Sequence, residues 1–395
     1  MNEASPRITT GLAIIFAAAS GLAVGNLYWA QPLLAQISAG FGVPVAQGGL
    51  LVTATQVGYA VGVLLIVPLG DIMQRKRLIG TLMSLSIAAL LGCAAAPSFV
   101  FLALAMASLG LTTLSGQIIL PLSGDLTLPG ERGKIVGIVS SGITTGILVS
   151  RFVSGVVADL WGWRVIYLAA AVLNLVVMLV IVRRVPQLPN KGKISYPKLI
   201  GSVFTAVVRY RVMPRVMLMN GLVFGISFNL FWTALTFLLS SDAFGFSTFQ
   251  IGLVSLAGLT GALAASAMGS LQDKGLAMPA QGISIAVTAV CMLAAAFLWH
   301  SVVAIVVIAA VQSLGVQGVG VLNQARIFGL SDTERSRLNT AFVVNNFIFS
   351  AAGSALASAL WALAGWQAVA LAAAIACLLA LCVWAASRKV LAEGV

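Results

Sequence analysis

Stretches of about twenty residues without a single charge constrain this chain more than anything else in it. Gly48 to Leu69 is one and Leu78 to Ala96 is the next, parted only by Gly70-Asp71-Ile72-Met73-Gln74-Arg75-Lys76-Arg77. A helix needs about 20 apolar residues to cross about 30 Å of hydrocarbon. A charge at mid-depth costs about 2.5–3.5 kcal/mol or more, so an acid and three bases in one short segment read as an aqueous turn between two crossings. Twelve predominantly apolar runs follow one another, near 8–36, 47–70, 78–96, 99–124, 135–158, 165–183, 214–240, 248–270, 278–298, 302–327, 338–361 and 367–386. Gly, Pro and Ser mark the turns, as in Phe41-Gly42-Val43-Pro44 and Ala96-Pro97-Ser98. The chain is 60% hydrophobic and 8% charged. Soluble chains carry about 25% charged residues, so the expected fold class is an all-α membrane protein with twelve transmembrane helices.

The charges sit in the turns, and their signs predict orientation. With the N-terminus inside, the cytoplasmic turns hold Arg75, Lys76, Arg77, Arg132, Lys134, Lys274, Arg335 and Arg337. The opposite turns hold Asp159, Asp242, His300 and the single base Arg164. Both termini are therefore expected in the cytoplasm. The net charge of +12 lies between apolar runs and not on a polar domain, so it points to acidic lipid headgroups and not to nucleic acid. Arg183 to Arg215 carries eight bases and no acid, and its stretch Pro197–Tyr210 has the pattern of a short amphipathic helix on the inner leaflet. Cys93, Cys291, Cys377 and Cys382 lie inside apolar runs without metal-type spacing, so no metal, disulfide or cofactor is expected. No secretory peptide is expected either, because the first apolar run is span-length.

The chain also repeats itself. Asn26-Leu27-Tyr28-Trp29 is matched by Asn229-Leu230-Phe231-Trp232, an offset of 229 − 26 = 203. Phe41-Gly42 meets Phe244-Gly245, Gln47 meets Gln250, Glu131-Arg132 meets Glu334-Arg335, and Gly162-Trp163 meets Gly365-Trp366 at the same offset. That pattern predicts a duplicated six-helix unit. The expected domains are residues 1–183, a basic cytoplasmic linker 184–213, and residues 214–395.

The turn after the second run resembles the signature Gly-x-Leu-x-Asp-Arg-x-Gly-Arg-Arg of the major facilitator superfamily. Leu69, Asp71, Arg75 and Lys76 match it, and a second copy half a chain later matches at Gly269, Leu271, Asp273 and Lys274. Val67, Ile72 and Gln74 depart from it. Gly142 and Gly146 are similar to the fifth-span glycines of twelve-span antiporters, where Ile147 replaces the family's Pro and Ser150-Arg151 its final Gly pair. Along nearly its whole length, including Asn26 to Leu34 and Pro68 to Asp71, the chain resembles the twelve-span drug:proton antiporter and sugar-efflux branch. The resemblance implies two six-helix bundles related by a pseudo-twofold axis, a site between them near the midplane, and transport by alternating access. It also implies a multi-pass protein of the bacterial cytoplasmic (inner) membrane, expected as a monomer.

Polar side chains within apolar runs are the candidates for substrate contact, because hydrocarbon penalises them. Arg151 stands out: it lies about 16 residues, or roughly 24 Å, from the start of its run. Asn26 and Gln56 reach similar depths, with Trp29 and Tyr59 one turn away. A cation near amides and aromatics suits a carboxylate, a phosphate or a π-system. The competing reading is an arginine held by amide and backbone oxygens that ties helices together, and the residues alone leave both open. In the second half Asn229, Trp232, Gln317, Asn345 and Asn346 are the corresponding candidates. None of the ten carboxylates falls deep in a run. Asp71, Arg75, Lys76, Asp125, Asp273 and Lys274 sit at the run ends and are the expected gating charges, with Asp125 placed for either a salt bridge to Arg75 or Arg77 or a titrating switch. Gly58/Gly62 and Gly142/Gly146 suit close helix packing.

These features predict a transporter exporting small organic or amphipathic compounds, with proton coupling left open. The alternative is uptake or facilitated diffusion of a small organic anion through Arg151. One histidine, no intramembrane carboxylate and no Cys/His cluster argue against an enzyme, and no catalytic residue is assigned.

Overall fold

The computed structural model describes residues 9–127, 131–185, 195–331 and 334–392, and all regular structure among them is helical. The helices are α1 (Thr10–Gly25), α2 (Leu34–Phe41), α3 (Val45–Leu65), α4 (Arg75–Ala94), α5 (Phe99–Thr112), α6 (Ser115–Asp125), α7 (Arg132–Trp161), α8 (Trp163–Arg184), α9 (Tyr196–Arg209), α10 (Val212–Asn220), α11 (Asn229–Ser240), α12 (Thr248–Ser255), α13 (Thr260–Asp273), α14 (Ala277–Leu298), α15 (Val302–Leu330) and α16 (Arg335–Ala392). Short polar residues start several of them. The side-chain oxygens of Thr9, Ser98 and Ser301 accept from the backbone N–H three residues on, and Ser247 with Gln250 forms a reciprocal capping box.

Ten helical stretches among the described residues are long and apolar enough to cross a membrane. The last, Arg335–Leu391, is 57 residues long and is broken at Gly365 (φ 68°, ψ −158°), so it amounts to two crossings. Thr10–Gly25 is shorter and continues through an irregular segment into α2. The architecture is thus consistent with twelve crossings. The expected amphipathic stretch forms α9, which buries Leu199, Val203 and Ala206 along one stripe. Residues 186–194 of the basic linker lie outside the described residues.

The internal repeat is visible in the backbone. Gly42 (φ 67°) and Gly245 (φ 62°) are 203 residues apart, as are Gly162 (φ 85°) and Gly365 (φ 68°). Each takes the left-handed conformation that strains any residue with a Cβ, at matching turns of the two halves.

The chain divides into two compact units. The first comprises Met1–Leu33 and Ala54–Leu199. Its centre is a crossing of α1 and α7 at which glycines interlock: a Cβ on Gly146 would overlap the Gly21 carbonyl, and one on Gly142 would overlap that of Ala17. A second close crossing joins α3 to α5, with Gly58 against the Ala107 backbone and Gly110 against that of Thr55. These contacts match the packing role expected of Gly58 and Gly142/Gly146. The second unit comprises Leu34–Thr53 and Ile200–Val395. Within it residues 221–228 are π-helical and wrap Phe349 of α16 closely at Gly221 and Gly225. Residues 34–53 pack into the same unit: Gly49 lies against Ser358, and the Thr53 and Ser354 hydroxyls are 2.9 Å apart.

A methyl group at Gly146 has no room, whereas Gly137 on the same helix has nothing within 4 Å of its virtual Cβ. Gly146→Ala is therefore expected to destabilise the detergent-solubilised protein by about 1–3 kcal/mol. Gly137→Ala should leave thermal unfolding unchanged or slightly improved, and a matched pair of melting curves checks both.

Candidate functional site

Two helices of the first unit break where they meet. α1 ends at Gly25, and residues 26–30 form turns before a short 3-10 segment, Gln31–Leu33. α5 ends at Thr112, and α6 begins at Ser115. A break frees backbone groups that hydrocarbon cannot satisfy, so it must be buried in protein or line a polar path. Here every residue from Ala19 to Leu33 is buried, and side chains from one break supply the other. Asn26 Nδ2 donates to Thr113 Oγ1 at 3.1 Å, and Thr113 Oγ1 donates to the Ala23 carbonyl at 2.7 Å. Trp29 Nε1 completes the set by donating to Asn26 Oδ1 at 2.8 Å.

Arg151 is placed beside this junction by the glycine interlock of α1 and α7. It is 2% exposed, and its guanidinium carbon lies 4.9 Å from the centre of the Tyr28 ring. Tyr28 belongs to the same unwound segment as Asn26 and Trp29. On the neighbouring face Gln117 Nε2 of α6 donates to Tyr59 Oη at 2.9 Å, and Gln56 is buried one turn away on α3. The five residues named from the first half are thus all buried side chains of one unit, and the broken helices bring Asn26 and Trp29 into direct contact. The sequence pattern puts those two one turn apart on a regular helix and does not distinguish Tyr28, Thr113 or Gln117 from their apolar surroundings. Thr113 carries no signal in sequence, because a lone hydroxyl inside an apolar run is common.

The second-half candidates belong to the second unit. Asn229 Nδ2 donates to the Phe224 and Gly225 carbonyls and to Ser350 Oγ, satisfying carbonyls of the π-helical turn. Asn345 Nδ2 donates to the Met217 carbonyl at 2.8 Å. Trp232 packs in an aromatic cluster, tilted against Phe228 and edge-on to Phe231. Gln317 is half-buried against Gly261, and Asn346 Oδ1 accepts from Asn220 Nδ2 at 2.8 Å. So the repeated Asn-x-x-Trp pair does different work in each half. A buried arginine that the sequence reading passed over, Arg326, donates to Gln281 Oε1 at 2.9 Å. Its place four residues from a helix end reads in sequence like a base reaching for the interface.

Among the gating candidates, Arg75 Nη1 pairs with Asp125 Oδ2 at 2.7 Å, its Nη2 lies 3.7 Å from Asp71 Oδ1, and its Nε donates to the Gly70 carbonyl. Lys76 is half-buried and Lys274 exposed, and neither enters an ion pair among the described residues. The Asp273 side chain lies outside the described residues. No group of side chains suited to a metal ion occurs among the described residues.

Removing the Asn26 amide leaves Thr113 and Trp29 short of a buried partner. Asn26→Ala is expected to cost about 1–3 kcal/mol of stability, and a Thr113→Val/Asn26→Ala double substitution should cost less than the sum, as unfolding curves in detergent would register.

Comparison with known proteins agrees with this architecture. The sequence profile described as Major Facilitator Superfamily matches residues 13–325. The chain is 36% identical over 384 residues, covering 97% of both chains, to "Uncharacterized transporter YgaY" of Escherichia coli O157:H7. It is 28% identical over 367 residues, 90% of this chain and 82% of the other, to "Probable transporter SCO4007" of Streptomyces coelicolor. Its fold is similar to that of a bacterial homologue of the human lysosomal transporter Spinster, with a TM-score of 0.76, 14% identity and 97% of each chain covered.

Proposed function

The chain belongs to the Major Facilitator Superfamily, whose members are membrane transporters, and on that premise we propose that it exports small organic, amphipathic compounds by alternating access, favouring those with a carboxylate or other anionic group. One observation carries the preference for anions: among the described residues the buried charged side chains are Arg151 and Arg326, and no carboxylate is buried. An interior of that sign repels cations and attracts anions, most strongly where water is excluded. Arg151 supplies the charge-assisted contact, while Tyr28, Trp29, Asn26, Gln56 and Tyr59 supply apolar area and amide contacts suited to an amphipathic body. Export is the direction carried by the resemblance to the efflux branch. Uptake of the same anions is the second reading, and it shares the site.

Arg75, Asp71 and Asp125 act as the gate, holding the ends of α4 and α6 and the short 3-10 segment Val67–Asp71 together in one state. Asp125 is the carboxylate best placed to link that gate to protons, being only partly exposed and engaged by a cation. The distribution of bases supports a cytoplasmic position for this end in a bacterial inner membrane, and the working unit we propose is a monomer.

Two measurements test the reading. In proteoliposomes loaded with a panel of anionic, neutral and cationic amphiphiles, Arg151→Ala should lower transport of anions at least tenfold and leave neutral compounds within about threefold, while Arg151→Lys should recover part of the loss. Equal losses across the panel, or cations moved best by the wild type, would overturn it. The direction of flux under an imposed pH gradient separates export from uptake. The second measurement targets the gate. Arg75→Met should raise cysteine-labelling rates at positions near Asp125 several-fold with little change in stability, since a partly exposed pair contributes about 0–1 kcal/mol. Unaltered labelling together with full transport would exclude the gate.

A further inference from the structure

Five buried or half-buried polar side chains form one unbroken hydrogen-bond chain through the second unit. Arg326 Nη1 donates to Gln281 Oε1 at 2.9 Å, and Gln281 Nε2 donates to Asn323 Oδ1 at 2.6 Å. Asn323 Nδ2 donates to Asn220 Oδ1 at 3.3 Å, and Asn220 Nδ2 donates to Asn346 Oδ1 at 2.8 Å. The chemistry dictates this direction. A guanidinium can only donate, so Gln281 must present its oxygen to Arg326 and its NH2 to the next amide, and each later amide is turned the same way. The chain therefore ends on the NH2 of Asn346, which is half-buried and donates to nothing among the described residues.

The chain also climbs. Counting about 1.5 Å per residue from the ends of α10, α14, α15 and α16 that lie on one side, Arg326 and Gln281 are about 6 Å in, Asn323 about 10 Å, Asn220 about 12 Å and Asn346 about 16 Å. A cation near the helix ends is thereby connected to a donor at mid-depth. Dipoles aligned head to tail strengthen one another in a low-dielectric interior, so Asn346 presents a more electropositive N–H than an isolated amide would.

The duplication shows that the fold does not require these groups. At the 203-residue offset the first-half counterparts of Arg326, Asn323, Gln281, Asn220 and Asn346 are Ser123, Leu120, Leu78, Ala17 and Ile143. The same framework fills four of the five positions with hydrocarbon. The amide chain also passes a backbone irregularity, because Asn220 immediately precedes the π-helical segment Gly221–Phe228. Such widened turns often accompany function.

We infer that Asn346 is an anion-recognising contact of the second unit and that Arg326 is its positioning residue, polarising it through Gln281, Asn323 and Asn220. The ligand group it takes is the carboxylate, or equivalent anionic end, of an organic compound. This deepens the anion preference proposed above and rests on it.

Isothermal titration of the purified full-length protein with 1-naphthoate and with its neutral analogue 1-naphthalenemethanol tests the assignment. The wild type should bind the anion at least tenfold more tightly than the alcohol. Arg326→Met should weaken naphthoate binding about tenfold and leave the alcohol within twofold. Asn346→Leu should do the same, and the double variant should be no weaker than either single one, because the two residues act in series. Arg326→Lys should keep most of the preference. A purely structural chain would weaken both compounds alike, or neither, and either result overturns the inference. Where Arg326→Met does not yield folded protein, Asn346→Leu alone decides it by the same criterion. A wild type without preference for naphthoate defeats the anion reading itself. A preference lost in Arg151→Ala but intact in Arg326→Met and Asn346→Leu defeats only the present inference.

Discussion

Hydrocarbon offers no hydrogen bonds, so every backbone and side-chain polar group of a membrane-spanning chain must be met from within the protein. The helices follow from that requirement, and so do their interruptions. Where α1 and α5 stop, Asn26 and Thr113 bind each other and Thr113 binds a carbonyl of the final α1 turn. Where the π-helical segment widens, Asn229 covers two of its carbonyls and reaches Ser350 on α16. Both of these irregular stretches are accompanied by an amide that makes them tolerable.

Close approach of backbones is the second requirement, and glycine meets it. Gly21 and Gly25 of α1 face Gly142 and Gly146 of α7 at a distance no side chain permits. That contact holds α7 so that Arg151, five residues beyond Gly146, is carried to the Tyr28 ring of the unwound segment. The Arg151–Tyr28 contact of the first unit is therefore positioned by packing without side chains. In the second unit Gly221, Gly225 and Gly353 bring α16 and the π-helical segment equally close, with Phe349 seated between.

Duplicated units need not keep duplicated chemistry. Asn26 and Asn229 occupy equivalent places in the repeat, yet one joins two broken helices and the other satisfies the carbonyls of its own widened turn. The first unit places its buried cation, Arg151, against an aromatic ring. The second places its own, Arg326, at the foot of an amide chain whose counterparts in the first unit are mostly aliphatic. The two copies of one framework thus carry dissimilar buried polar groups.

Much of this was readable before any coordinates. Uncharged runs of span length determined an all-α membrane fold, because charges cannot lie in hydrocarbon, and the 203-residue offset determined the duplication, because paired turns need glycine at the same places. Arg151, Asn26 and Trp29 are legible because polar groups in apolar surroundings are costly and therefore few, and Asp125 is legible as a carboxylate within reach of Arg75 or Arg77, of which the structure selects Arg75. Tertiary structure alone decided where the helices break, that Tyr28 and Thr113 join the junction, that Asn229 and Asn345 serve the backbone, and that Arg326 heads an amide chain. Those outcomes depend on which helix faces which, and a hydroxyl or an amide has the same sequence signature whether its partner is a neighbouring carbonyl, another helix or a ligand.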